Sequence, residues 1–361
     1  MHDLKRLDET VVFDLRKLYH QYGYSQFKMS KFEAYDLYMQ NKEFLVSDGI
    51  ITFTDTDGTL MALKPDVTLS IVKNFRKENT PLQKVCYSEN VYRISGAGHS
   101  YREIMQTGLE CLGDIGLYEI SEVLSLAAKS LGTISNEYVL DISNMGIVHA
   151  VLSKLQLSEE TAAEVLRCMG EKNKDAALRA LNGKAADDLL ALMDISAPLP
   201  EAISMLHGIA DDKIIKEMET MCDILAQKGF ERHIHLDFSI ISDRNYYNNY
   251  VFRGYVKGIP TAILAGGQYD RLMEKMNKQA KGVGFAVYLD QLELLDDRAD
   301  SYDIDTVLLY PEECDALTLS RLADEYASDG VFLTKSVPLD KRYRKLLKVQ
   351  NGQVIKIEEN G

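Results

Sequence analysis

The chain has 361 residues, 46% of them hydrophobic and 27% charged, an ordinary globular composition long enough for one large domain with smaller attachments. Its formal net charge of −14 makes the average surface repel phosphate polyanions, so handling nucleic acid would need a local basic patch that the composition does not supply. Five scattered cysteines (Cys86, Cys111, Cys168, Cys222, Cys314) lack CxxC spacing, the N-terminus lacks an apolar signal core, and no stretch nears the roughly 18 apolar residues of a membrane span, so a soluble cytoplasmic protein with reduced thiols is expected.

Val11, Val12, Leu15, Leu18 and Tyr19 recur at helical spacing, and Gly23 supplies a stop, which predicts an opening helix over 8–23. From Gln26 to Leu117 the pattern turns to short apolar runs (50–53, 60–63, 84–87, 107–112) separated by Asp-Gly and Gly-rich turns, which read as antiparallel sheet with a helix over 67–76. A helix is expected over 118–131 and a strand over 138–142. Between Ile147 and Lys228 the composition shifts to Ala, Leu, Glu, Lys and Met, with helical runs at 159–168, 174–181, 185–193 and 213–226. Strands resume at 233–237, 250–252, 261–264 and 284–287, with a helix over 288–295. After an acidic linker, 296–303, a strand, helix, strand pattern (306–309, 316–327, 331–334) leads to a basic stretch, 341–348, and a last strand, 354–357.

Four segments could carry chemistry, and each has a plainer reading. Leu63-Lys64-Pro65-Asp66-Val67-Thr68 is by itself a good helix N-terminus. In Val91 to Glu110, a polar loop joins two strands, and Gln106, Gly108 and Glu110 at period two share one face of the second strand. An amide and a carboxylate so placed can bind an amine or imidazole through charge-assisted hydrogen bonds, or simply face solvent. The Asn- and Tyr-rich turn from Asp243 to Phe252 suits a small polar ligand or a hairpin end. Gly266-Gly267 after an apolar strand permits close approach of a ligand to the backbone, though a lone Gly-Gly is weak. The histidines His99, His149, His207, His233 and His235 have no metal-ligand spacing and are read as packing or surface residues.

Taken in order, the four segments resemble the histidyl-tRNA synthetase family over residues 5–295. Leu63 to Thr68 is similar to its LRPE/D-x-T segment, with Lys64 in the Arg position, and Val91 to Gly113 to motif 2 with its continuation YRQFHQxGxE. The segment holding Tyr246-Tyr247 resembles the signature RGLDYYTGxVFE, Ala265 to Asp270 resembles AGGRYD, and Gly282 to Leu292 resembles motif 3. The fold this implies is α+β: a class II aminoacyl-tRNA synthetase-like antiparallel sheet flanked by helices. Its parts would be 1–146 and 231–296, split by a helical insertion at 147–230 and followed by a small truncated α/β segment at 304–361. The resemblance also implies a histidine site. Asp66 and Thr68 would meet the α-amino group, Gln106 and Glu110 the amino or imidazole nitrogens, and Tyr247 and Tyr269 the imidazole end, with Arg93 and Tyr246 completing the set.

The departures from the family pattern fall where ATP would be held. Gln291 stands at the motif 3 arginine and cannot form a bidentate guanidinium clamp. Ile94-Ser95 replaces the acidic partner that follows the motif 2 arginine, and Ser242 aligns with the arginine of RGLDYY, with Arg244 two residues on. One preorganised donor contributes about 3 kcal/mol to a transition state, so adenylation is expected to be lost. Motif 1, which forms the family's dimer interface, has Ser30 in place of its proline. These features resemble the synthetase-like regulatory subunits of short-form ATP phosphoribosyltransferase. That likeness implies a non-catalytic subunit without cofactor or metal, acting in the first step of histidine biosynthesis. Its partners would be the short catalytic subunit HisG, L-histidine as feedback signal, and a second copy in a class II-like dimer, with no tRNA and no membrane. Two other readings stay open: an active histidyl-tRNA synthetase with divergent motifs, and another amino-acid-binding enzyme on the same fold.

Overall fold

The computed structural model describes residues 7–45, 49–76, 81–94, 100–241, 247–295, 302–350 and 353–360. They fall into two compact units, Leu7–Glu293 and a smaller one from Leu294 onward. No helix among the described residues is long and apolar enough to cross a membrane.

The larger unit opens with α1 (Leu7–Gln21), which buries Val11, Leu15 and Tyr19 along one stripe. There follow β1 (Ser25–Gln26), β2 (Phe32–Ala34), α2 (Tyr35–Met39), β3 (Thr52–Thr54), β4 (Leu60–Leu63) and α3 (Thr68–Asn74). A long hairpin of β5 (Leu82–Ile94) and β6 (Tyr101–Gly113) leads to α4 (Leu117–Ile134) and β7 (Tyr138–Asn144). The helix-rich stretch comprises α5 (Met145–Lys154), α6 (Glu159–Gly170), α7 (Lys174–Leu181), α8 (Asp187–Asp194), β8 (Ser196–Pro198), α9 (Leu199–Met205) and α10 (Asp212–Ala226). Side-chain caps start several of these helices: Asn144, Ser158, Asn173 and Asp211 each accept a first-turn backbone N–H, an interaction that stabilises a helix by about 1 kcal/mol. The unit closes with β9 (Ile234–Asp237), β10 (Tyr250–Val256), β11 (Leu264–Gln268), α11 (Asp270–Lys275) and β12 (Lys281–Tyr288).

The main sheet has nine strands in the order β1-β5-β6-β12-β11-β10-β7-β9-β8. Its pairs are antiparallel except β1 with β5 and β7 with β9. α1 and α4 pack against one face, where Tyr19 donates to or accepts from Ser130 at 2.9 Å and meets Phe285 edge-on with ring centroids 5.9 Å apart. That leaves the other face of the central strands open for a site.

Several expectations are corrected. The runs at 50–53 and 60–63 are antiparallel sheet as expected, but in a sheet of their own, where β3 and β4 join β2 in the order β2-β4-β3. The helix expected over 288–295 shrinks to a 3-10 turn, Leu292–Leu295, because Tyr288 N–H donates to Ile263 O and Leu289 N–H to Met105 O, which keeps the chain in the sheet. The strand expected at 261–264 lies later, at Leu264–Gln268. His233 is a packing residue, stacked on Tyr138 at 4.3 Å, while His99 lies outside the described residues.

The smaller unit contains β13 (Ile304–Leu309), α12 (Ala316–Glu325), β14 (Val331–Thr334), β15 (Tyr343–Gln350) and β16 (Gln353–Glu359), with sheet order β14-β13-β15-β16. Leu308, Leu322, Leu347 and Val349 form its core between α12 and the sheet. The basic stretch at 341–348 is largely β15, in which Leu346, Leu347 and Val349 are buried among the lysines, the last two in the core of this unit.

Candidate functional site

The open face of the central sheet carries a cavity of about 450 Å3. Its floor follows from register. Gln106, Gly108 and Glu110 on β6 stand opposite Tyr288, Ala286 and Gly284 on β12. Ala286 and Gly284 stand in turn opposite Ala265 and Gly267 on β11, and these opposite Arg253 and Val251 on β10. Side chains on a strand alternate between faces, so these residues form a trough with small residues in the middle and functional groups at either end.

The acidic end is built around Glu110, only 2% exposed. Thr68 donates to its Oε1 at 2.7 Å and Tyr269 to its Oε2 at 2.5 Å. Burial pushes the Glu110 carboxyl up to about 8; the two hydroxyls oppose this and the Asp66 carboxylate adds to it. Glycine is required opposite: a Cβ at Gly284 would lie 1.8 Å from Glu110 Oε2 and 2.4 Å from the Leu109 carbonyl oxygen. Likewise Gly267 makes room for the Tyr247 ring, which a Cβ would approach to 2.5 Å.

Asp66 serves both readings of its segment. Its Oδ1 accepts from Leu69 N–H at 3.0 Å in the first turn of α3, and it also lines the cavity. Burial raises its carboxyl above the usual range, against the pull of the Leu69 hydrogen bond and the Arg93 charge. The segment is fixed from behind. Lys64, 0% exposed, pairs with Glu89 at 2.5 Å, and Arg93 Nε donates to the Pro65 carbonyl at 2.8 Å. Gln106 is buried, and its Nε2 has no hydrogen-bond partner in the protein, although an unpaired buried donor costs about 1–3 kcal/mol. That leaves an amide donor available to a ligand.

Asp66, Thr68, Arg93, Gln106, Glu110, Tyr247 and Tyr269 thus line a single cavity. Tyr246, like Ser95, Ser242 and Arg244, lies outside the described residues. Gln291 is not among the lining residues, and its Oε1 accepts the Thr261 hydroxyl. Sequence reasoning missed Tyr87, Arg253 and Tyr288, which also line the cavity. Period two from Gly284 and Ala286 would have found Tyr288, and an arginine directly after Val251-Phe252 in a central strand was a signal for Arg253.

Known proteins resemble this chain in sequence and in fold. The model of the family described as histidyl-tRNA synthetase matches residues 3–292. The chain is 25% identical to the ATP phosphoribosyltransferase regulatory subunit of Clostridium acetobutylicum, covering 96% of this chain and 92% of that one. It is 27% identical to the protein of the same name from Caldanaerobacter subterraneus, covering 77% and 76%. Among solved structures it resembles an ATP phosphoribosyltransferase regulatory subunit/histidyl-tRNA synthetase from Bacillus halodurans, with TM-score 0.75, 22% identity and 96% of both chains covered. It also resembles a chain of the ATP phosphoribosyl transferase (HisG:HisZ) complex from Thermotoga maritima, with TM-score 0.63, 20% identity, and 79% of this chain and 98% of that one covered.

Proposed function

The chain belongs to the histidyl-tRNA synthetase family, and we propose that it acts there as a regulatory subunit of ATP phosphoribosyltransferase, binding free histidine instead of activating it. The carrying observation is the division within the site. The described groups suited to an ammonium and an imidazole line one cavity, while Gln291, at the position of the phosphate-clamping arginine, is engaged with Thr261 away from it. Asp66 and Glu110 supply the acceptors, Gln106 an unspent donor, and Tyr247 and Tyr269 aromatic walls. Relatives named as regulatory subunits, matched over most of both chains, support the same reading.

On this reading the protein catalyses nothing itself. Its partner is the short catalytic subunit HisG, and histidine bound in the pocket shifts the assembly toward a less active state, which requires different histidine affinity in the two states. A second copy of the chain completes a class II-like dimer, and tRNA is not a partner. Residues 147–230 are an insertion into the synthetase-like fold, and 304–361 a small separate segment.

The test is co-purification with a short HisG, then assay of phosphoribosyl transfer to ATP with and without this chain. Activity that requires both proteins and falls on adding histidine supports the proposal. No association with HisG, or histidine-dependent exchange of pyrophosphate into ATP by this chain alone, refutes it.

A further inference from the structure

The basic end of the trough has no assigned role. Arg253 lies on β10 directly opposite Ala265 on β11 and Asp141 on β7. Opposite charges so placed are near enough to pair, yet no ion pair joins them, and the charged groups acting on Asp141 are Asp237, His235 and Lys172. The guanidinium is felt instead at Tyr247. Burial pushes that phenol well above its ordinary range, Tyr288, Glu110 and Asp66 push it further, and Arg253 opposes them. Arg253 lines the cavity and is solvent-exposed, and among the described residues no carboxylate pairs with it.

The floor beside it is open. In one row of the trough Glu110 lies over Gly284 and the Tyr247 ring over Gly267, so that row is filled by the protein. In the adjacent row the Tyr87 phenol lies over Gly108, and Ala286 and Ala265, both partly exposed in the cavity, lead on to Arg253. Gly284, beneath the Glu110 carboxyl, and Ala265, beside Arg253, are diagonal neighbours about 7–8 Å apart. A single amino acid spans such a gap from its side-chain ring to its carboxylate, and a guanidinium suits that carboxylate through paired N–H donors. In the pattern RGLDYYTGxVFE the first residue aligns with Ser242 and the last, glutamate, with Arg253, so this chain lacks an arginine at one end of the segment and has one at the other.

We propose that Arg253 binds the α-carboxylate of the amino acid held in the pocket, and so selects a free amino acid over an amine or a carboxyl-substituted derivative. The inference rests on the pocket being an amino-acid site. Calorimetric titration of the full chain with L-histidine and with histamine, which keeps the ammonium and imidazole but lacks the carboxylate, separates the two ideas. The wild type is expected to bind histidine at least about tenfold more tightly than histamine, and Arg253→Gln to erase that preference by weakening histidine alone. Arg253→Lys, which keeps the charge but not the planar fork, should retain part of it. Arg93→Gln is the competing arm, since Arg93 also lines the cavity. If Arg253→Gln binds histidine within about twofold of wild type, or if Arg93→Gln alone abolishes the preference, the carboxylate assignment is wrong while the pocket reading stands. Equal weakening of both ligands by Arg253→Gln, with an unchanged thermal melt, also overturns it. If the wild type binds neither ligand, the pocket reading itself fails, and this inference with it.

Discussion

Replacing Glu110 with glutamine should change how stability depends on pH. The wild-type carboxyl sits at about 8 in the folded protein because it is buried, and returns to about 4.5 when the chain unfolds. Between those values the folded state holds a proton that the unfolded state has released, so rising pH favours unfolding. The stabilisation from this group is therefore complete below pH 4.5 and lost progressively until the pH passes about 8. The gap, at about 1.4 kcal/mol per pH unit, amounts to as much as about 5 kcal/mol. Glu110→Gln is neutral throughout and lacks this term. Urea unfolding followed by circular dichroism from pH 5 to pH 9 should show the wild type losing several kcal/mol relative to the variant, with the difference levelling off above pH 8. Parallel stability curves would refute the reasoning. The same proton reports on ligand binding. A cationic group beside Glu110 favours the ionised carboxylate, so histidine binding at pH 7 should release a proton, detectable by calorimetry in buffers of different ionisation enthalpy.

Tyr269→Phe removes the hydroxyl that donates to Glu110 at 2.5 Å, and should cost about 1.5–3 kcal/mol in urea unfolding, more at pH 9, where the acceptor is charged, than at pH 5. Lys64→Met leaves Glu89 without its partner and should destabilise by about 3–5 kcal/mol, while Lys64→Met combined with Glu89→Leu recovers most of the loss on the same assay. Gly284→Ala drives a methyl group against both Glu110 and the Leu109 backbone oxygen, which cannot move aside as a side-chain tip can. It should cost about 1–3 kcal/mol of stability and abolish histidine binding in a titration.

The acidic end of the site was legible because its geometry is local. Gln106, Gly108 and Glu110 share a face by strand period alone, and Asp66 and Thr68 adjoin a helix start. Elements governed by distant partners were harder to see. β11 was placed too early because Thr261 to Leu264 has the apolar residues, whereas the actual strand carries Gly266 and Gly267, poor strand formers by propensity. They belong in the sheet because the Phe252 and Tyr247 rings occupy the space their side chains would need, a demand set by other strands. β8 is a three-residue strand ending in proline inside a helical region, and only its pairing with β9 reveals it. β15 hides among lysines and arginines, and is identified by parallel pairing with β13. Arg253 was overlooked for a similar reason: its significance comes from the small residues of β11 and β12 beside it.

Restoring the lost arginine alone should not restore synthetase chemistry. Gln291 lies in the turn after β12, and its amide oxygen accepts the hydroxyl of Thr261, so neither residue faces the cavity lining. A guanidinium at that position would begin from a side chain engaged elsewhere, and would supply only one cationic group. Transition-state stabilisation of adenylation depends on several charges held in place before reaction, each contributing about 3 kcal/mol, and Ser242 and Ser95 stand at two other positions where the family pattern has charge. Gln291→Arg is therefore expected to leave histidine-dependent exchange of pyrophosphate into ATP at background, and adding Ser242→Arg should not raise it to a synthetase level. Histidine affinity should persist in both variants, because the groups proposed to bind the amino acid line the cavity and Gln291 is not among them. A hundredfold rise in exchange from the single substitution would show that the phosphate site is intact apart from one residue, and the proposal of a pocket adapted to sensing would have to give way to a synthetase inactivated at a single position.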